Sequence, residues 1–330
     1  MKSTYSIDGK TAREDLDGVC KKLYADETPF LSTAGTGTAR ARHVEWTLDD
    51  LPGAKHAPKT EGAPAGGDGA DAPNRASNYL QINEESAKVT YRGDRVDQVE
   101  NARQMAFQKL KQGKLVMIDT EFSALGDQAG NAGAGESTEG ADDGTASEMS
   151  GLEAWIATNA LHGATGSTAG YNYSTQSMGA VVDGTPRAFT IDMLQTARAG
   201  AWAAGGNPRN IYVNSTQKAV LSSQPNVAPA SNDITTRQAD ITLQLAVSSI
   251  ETDFGTMEII PCRNMDQDVI FGVDVDYVEM CYLDPLQSED QPFAGLASIA
   301  QVWNDKTLKC GNEKAHFKIA DLVDTIQPPA

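Results

Sequence analysis

Aromatic side chains are scarce in this chain, at 6% of its residues, and so is positive charge, with 27 lysines and arginines against 45 aspartates and glutamates. The resulting net charge of −18 disfavours binding to a phosphate backbone, because such binding draws on counterions released by a basic surface. No apolar run approaches the ~20 residues needed to cross a bilayer as a helix, which excludes membrane insertion by that route. The four cysteines, Cys20, Cys262, Cys281 and Cys310, form no C-x-x-C pair and follow no secretory signal, so they read as reduced thiols of a protein made in a cytoplasm. The four histidines, His43, His56, His162 and His316, stand far apart and make no metal-type pair.

A converging catalytic cluster is also missing. Gly130, Gly133 and Gly135 have the spacing of a phosphate loop but no strand before them, and the stretch 163–170 lacks the lysine such a loop needs. Asp266, Asp268, Asp274 and Asp276 invite a calcium or paired-acid reading, yet the glycine and terminal glutamate of a calcium loop are absent, and Asp274 and Asp276 read as sharing one solvated strand face or its turn. The residues therefore imply no cofactor, no metal and no enzyme.

What is present is an ordered series of segments. Residues 13–23 place Leu16, Val19, Cys20 and Leu23 at helical spacing, and Thr28-Pro29 then stops the chain. Val44, Trp46 and Leu48 alternate with His43, Glu45 and Thr47, the period of a half-buried strand. Between Pro52 and Asn74 glycine and proline leave no room for a core element, and extended character resumes at 79–82 and 87–92. Two arms with a long tip make a protruding hairpin-like loop. Such a loop has little interior of its own and takes its order from a partner surface, most simply an identical neighbour.

A helix is predicted from about Asp94 to Leu125, roughly 45 Å at 1.5 Å per residue, with Val96, Val99, Ala106, Leu110 and Met117 on one stripe and a bend or break at Gly113. Residues 126–148 are small and polar and read as a mobile loop. A helix over 191–204 capped by Thr190, a strand over 209–214 and a helix from Ser215 follow. Strands are then predicted at 241–250, 257–260, 269–273, 277–283, 298–303 and 316–319, an α+β order.

The series Thr28-Pro29-Phe30-Leu31-Ser32, Val44-Glu45-Trp46-Thr47, Met149-Ser150-Gly151-Leu152-Glu153-Ala154-Trp155-Ile156, Arg209-Asn210-Ile211-Tyr212-Val213-Asn214-Ser215-Thr216-Gln217-Lys218, Asp253-Phe254-Gly255 and Ala315-His316-Phe317-Lys318-Ile319 resembles a subgroup of the major capsid proteins of tailed bacteriophages, over nearly the whole chain. The resemblance implies the Hong Kong 97-type capsid fold: an N-terminal arm at 1–35, an extended two-stranded loop at 36–92, a peripheral domain with its spine helix and following loop at 93–149, an axial domain at 150–285 with soft borders, and a return to the peripheral sheet at 286–330. It implies an icosahedral virion shell, assembled in the host cytoplasm from hexamers and pentamers of this chain, with a portal and scaffold or decoration proteins as partners. Such a shell encloses double-stranded DNA without reading its sequence.

On that plan the candidate subunit-interface residues are Trp46, Lys55, Lys59, Glu61, Tyr79, Arg92, Arg95 and Arg103, with the loop of one subunit lying over its neighbour's spine. Some members of the family cross-link neighbours through a loop lysine and an asparagine. Lys55 or Lys59 with Asn304 or Asn312 are the candidates here, and nothing in the local sequence fixes the geometry. A cellular nanocompartment shell of the same fold and an acidic carbohydrate-active hydrolase are the alternative readings.

Overall fold

The computed structural model describes residues 25–49, 51, 54, 56–63, 73–95, 104–133, 144–223, 248–292 and 295–323. The helix predicted over 13–23, most of the strand predicted over 241–250, and Cys20, Lys55 and Arg103 lie outside them. Thr28-Pro29 marks a beginning where the sequence suggested a stop. Pro29 takes the first position of a short helix, Pro29–Thr33, where its missing N–H costs nothing.

Two sheets carry the chain. The first has four strands: Gly35–Thr38 runs parallel to Val278–Asp290, which pairs antiparallel with Ala297–Cys310, which in turn pairs with Gln81–Thr90. The second has six, in the order Ser249–Thr252, Gly255–Pro261, Asn210–Val213, Ile270–Val273, Phe317–Ile319 and Ala160–Leu161. The strand Ile270–Val273 is buried at every position, and so is Phe317–Ile319, which places both in the sheet's interior. Gly272 faces Phe317 across this pair, and a Cβ there would sit about 2.0 Å from the ring. Only glycine admits the aromatic.

The helix Ile191–Ala203 covers this sheet with Leu194, Ala197 and Ala201, which join Ile211, Val213, Phe317 and Ile319 in one core. Thr190 takes an extended capping conformation but makes no side-chain cap bond, and Gly205 leaves the helix at a φ of +92°. The buried Arg198 ties the helix to the loop after it and to a distant strand turn, donating to Pro208 O at 2.5 Å, Asn207 Oδ1 at 2.7 Å and Phe254 O at 2.9 Å.

The spine helix runs Gln104–Leu125 and buries Gly113, Val116, Thr120, Glu121, Ala124 and Leu125. A straight rod from Asp94 is ruled out, because the N–H of Met105 donates to Asp94 Oδ1 at 3.3 Å, far closer than eleven helical rises of about 1.5 Å allow. A short separate helix, Tyr91–Arg95, precedes it. No break falls at Gly113. A Cβ there would meet Leu286 Cδ2 at 3.5 Å and Val302 Cγ1 at 3.9 Å, ordinary contact distances. Gly113→Ala is therefore expected to raise stability by up to about 1 kcal/mol, the helix propensity difference, read as a higher urea midpoint with unchanged slope.

The stretch 126–148, expected to be one mobile loop, contains part of a strand pair, Ala129–Asn131 with Glu148–Ser150. Asp274, expected on a solvated strand face or its turn, does cap a turn but is buried: it accepts from Asp276 N at 3.3 Å and from Asn207 N at 3.0 Å. The backbone N–H of Asp274 donates to His316 Nδ1 at 3.1 Å. Burial pushes the His316 imidazole down to about 3. The folded protein thus holds His316 neutral while the unfolded chain protonates it below its ordinary value of about 6.5. Stability is expected to fall as pH drops from about 6.5 towards 3, by at most about 1.4 kcal/mol per unit from this group. His316→Gln should flatten that slope in a pH series of urea melts.

Candidate functional site

The protrusion is built on a hairpin whose two strands are His43–Leu48 and Asn74–Tyr79, with Trp46 opposite Ala76 and Val44 opposite Asn78. The second strand thus lies before the stretches expected at 79–82 and 87–92. It is a polar stretch held by its neighbours, and Gln81–Thr90 beyond it belongs to the four-stranded sheet. Asn78 does most of the anchoring: its Nδ2 donates to Leu308 O at 2.8 Å and Ser150 O at 3.2 Å, and its Oδ1 accepts from Ser150 N at 2.9 Å. A buried amide satisfied on both sides fixes the base of the hairpin to the body.

Trp46, expected to offer apolar area to a neighbour, is used inside its own chain. Only 9% exposed, its ring lies 5.4 Å from that of Trp155, which stacks on Tyr171 at 5.0 Å, and the Tyr171 hydroxyl bonds Ser77 Oγ at 2.7 Å. Tyr79 is half-buried and stacks on His43 at 4.7 Å. Glu45 pairs with Arg75 at 3.2 Å on the outer face of the same hairpin. The base is therefore ordered by its own subunit. Its tip differs: every described residue from 54 to 63, Lys59 and Glu61 among them, is exposed, and Leu51 is 97% exposed.

Arg92 and Arg95 share the short helix Tyr91–Arg95 and are exposed, with the Arg95 guanidinium 4.3 Å over the Tyr91 ring. Among the described residues nothing brings them to Glu61. Of the expected cross-link acceptors, Asn304 is completely buried and donates to Thr120 Oγ1 at 2.9 Å, while Asn312 accepts from Lys314 N and caps a turn. A neighbour's lysine cannot reach Asn304 without opening the sheet. Among the described residues no cluster of three metal-ligating side chains is present.

The spine presents a face that sequence reasoning passed over. Lys111, Leu115 and Phe122 stand four and seven residues apart and so share one side of the helix, where Leu115 is 38% and Phe122 53% exposed. Their spacing was available in the sequence, but the stripe chosen there, Ala106, Leu110 and Met117, lies on the opposite side. The end of the arm is held to the spine's inner side by Glu121, whose Oε1 accepts from Phe30 N at 2.6 Å and whose Oε2 accepts from Asn264 Nδ2 at 2.7 Å. Burial raises the Glu121 carboxyl above its usual range, and these donors oppose the rise.

The exposed loop with Leu51, the hairpin base anchored in the body and the apolar outer helix face together make a contact surface. The family model of the SU10 major capsid protein matches residues 2–323. No curated protein sequence matches the chain. Among solved structures, the major capsid protein of phage G superposes with a TM-score of 0.53 at 11% identity over 99% of this chain and all of that one. The capsid of an empty GTA particle gives 0.57 at 10% identity, over 96% and 98% of the two chains. A holo-encapsulin complex from Synechococcus elongatus gives 0.55 at 11% identity, over 94% and 92%. At such identities these likenesses speak for the fold alone.

Proposed function

Because this chain belongs to the SU10 major capsid protein family and is a virion shell subunit that self-assembles into capsomers, we propose that its shell is held together chiefly by the tip of the extended loop lying on the outer spine face of a neighbouring copy. The observation that carries this reading is the pairing of two unfilled apolar surfaces on one chain: Leu51 at the tip, and Leu115 with Phe122 on the helix. Each contact is modest, and closing a ring makes the later ones effectively intramolecular, so weak pairs build a strong wall. Exposed arginines at 92 and 95 and exposed acids such as Glu61 and Glu84 supply rim contacts worth little individually.

In domain terms the arm takes 1–35, the loop 36–92, the spine and its following loop 93–149, the axial domain 150–285, and 286–330 returns to the peripheral sheet. The strand Val278–Asp290 runs through the border at 285, and Phe317–Ile319 sits in the six-stranded sheet, so strands exchange between the two parts. The shell encloses DNA without reading its sequence, is assembled in the host cytoplasm, and takes a portal and scaffold or decoration proteins as partners. The net charge of −18 keeps packaged phosphate from adhering to the wall. No helix among the described residues is long and apolar enough to cross a membrane.

Electron microscopy of the purified protein tests the reading. Closed particles, or sheets of capsomers, are expected at high concentration; a monodisperse small oligomer at every concentration contradicts it.

A further inference from the structure

The edge strand Ala160–Leu161 runs parallel to Phe317–Ile319 with Leu161 opposite Ile319, so the residues that follow each strand come out side by side. His162 and Asp321 meet there, although 159 positions part them. The Nδ1 of His162 lies 3.2 Å from Asp321 Oδ2, and its Nε2 lies 2.9 Å from Thr168 Oγ1. Carboxylate, imidazole and hydroxyl thus stand in line.

The acid at the end of that line is held firmly. Only 4% exposed, Asp321 accepts from Gly163 N at 2.8 Å through Oδ2 and from Gly184 N at 2.5 Å through Oδ1, at a φ of +58° that a residue with a side chain rarely adopts. Burial works to raise its carboxyl, but the N–H groups of Gly184 and Gly163 and the ring of His162 outweigh it and hold the group below the ordinary carboxylate range. It stays ionised. Burial, aided by the charge of Lys318, lowers His162, so the imidazole is neutral near pH 7. A carboxylate beside Nδ1 keeps the ring proton there and leaves Nε2 free to accept from the hydroxyl.

We propose that Thr168, His162 and Asp321 form a nucleophilic triad on this subunit, with the Thr168 hydroxyl as the attacking group and small carboxylic esters as the substrate class. This activity is separate from building the wall. Thr168 is half-buried on the short strand pair Ser167–Thr168 with Val181–Val182, where Ser167 is exposed and Val182 is 51% exposed. Such an open ledge suits a small substrate whose leaving group departs readily. Arg187 supplies the remaining part: its N–H donates to Asp321 O at 2.8 Å, its charge acts on His162, and its Nε and Nη2 are buried without a partner among the described residues. An unpaired guanidinium beside the base is a donor for the oxyanion that forms on attack.

Water is the only co-reactant. Thr168 Oγ bonds the ester carbon while its proton passes to Nε2; the carbon–oxygen bond to the leaving alcohol breaks, and the alcohol takes that proton. Water, deprotonated by Nε2, then attacks the acyl-threonine; the acyl bond to Thr168 breaks, the hydroxyl recovers the proton, and the carboxylic acid departs.

The probe is p-nitrophenyl acetate. Particles are mixed with it near neutral pH, quenched in acid and mapped by peptide mass spectrometry, with p-nitrophenol release followed in parallel. Acetyl is expected on Thr168 ahead of every other hydroxyl, and Thr168→Val removes it. His162→Gln should slow the labelling about a hundredfold, within the range a positioned base supplies. Thr168→Ser keeps the hydroxyl and drops the crowding methyl, so it should match or exceed the parent rate. In the unsubstituted protein, p-nitrophenol release should rise with pH through a midpoint below the ordinary histidine value of about 6.5 and then level off. A hydrogen bond that only held the hairpin would produce neither result. Acetyl confined to amines, labelling of Thr168 unchanged by His162→Gln, or release with no such midpoint each overturns the proposal. Particle formation is scored by imaging before the probe is added, so failure here leaves the shell reading untouched.

Discussion

Lys318→Met is expected to lower the stability of the dissociated subunit by about 3–5 kcal/mol, the usual penalty for stripping one partner from a buried ion pair. Lys318 lies in the fully buried strand Phe317–Ile319, and its Nζ donates to Glu153 O at 2.8 Å and approaches Glu153 Oε1 at 3.5 Å. Methionine keeps the aliphatic stem and removes the charge. The Glu153 carboxylate, 6% exposed, then has Asp268, Asp127 and Asp266 around it and no cation in contact. Burial already raises Glu153 to about 7 against the pull of the lysine, so without Lys318 it takes up a proton or pulls water into the core. Glu153 sits beside Trp155, the ring on which Trp46 rests, so the damage extends to the base of the hairpin. The double variant Lys318→Met, Glu153→Leu should recover most of the loss, since apolar replacement of a whole buried pair is often neutral. Urea melts of the four proteins give the coupling; a single variant within about 1 kcal/mol of the parent would show that the pair carries no such weight.

The second large effect concerns assembly. Excising residues 50–72 and joining the two hairpin strands through a short Asn-Gly turn is expected to abolish particles while leaving the subunit's thermal midpoint within a few degrees. The anchors that fix the hairpin base, Asn78 and the Trp46–Trp155–Tyr171 stack, all survive the excision. Phe122→Glu is expected to give the same phenotype from the other side of the contact by placing a charge on the receiving apolar face. Sedimentation and negative-stain imaging read both. Normal particle yield from the excised protein would remove the loop from the account of how the wall holds.

Local pattern carried the architecture a long way and stopped where order comes from distant partners. The alternation of Val44, Trp46 and Leu48 announced a strand correctly, but periodicity reports that a face is covered without saying by what. Here Trp155 and Tyr171, more than a hundred residues away, take the place expected of a neighbouring subunit. Asn74–Tyr79 shows no apolar period, and its register rests on Asn78 bonding to Ser150 and Leu308. The spine's apolar stripe was legible, whereas its start was not, because the bond from Met105 N to Asp94 that rules out a straight rod joins residues no local pattern relates. Pro29 carried both meanings of a proline, terminator and first helical residue, and the choice was made by Glu121 holding Phe30 N. Of the proposed contact surface, the loop between the hairpin strands was marked in the sequence by its glycines and prolines. Phe122 was missed because the competing stripe on the other side contains more apolar residues.

Two crossings between the six-stranded and the four-stranded sheet run side by side, one in each direction. Ile270–Val273 leads through a single turn into Val278–Asp290, and Ala297–Cys310 leads through another into Phe317–Ile319. The two passages are laced together by Gly311 N on Tyr277 O at 2.6 Å and Asp274 N on His316. A twin-railed neck of this kind resists twisting and shearing, since neither rail can lengthen without tearing the lacing from the other. Wherever the wall changes its local curvature, each subunit must therefore travel as a stiff tile, and the angle between tiles has to be absorbed at their margins.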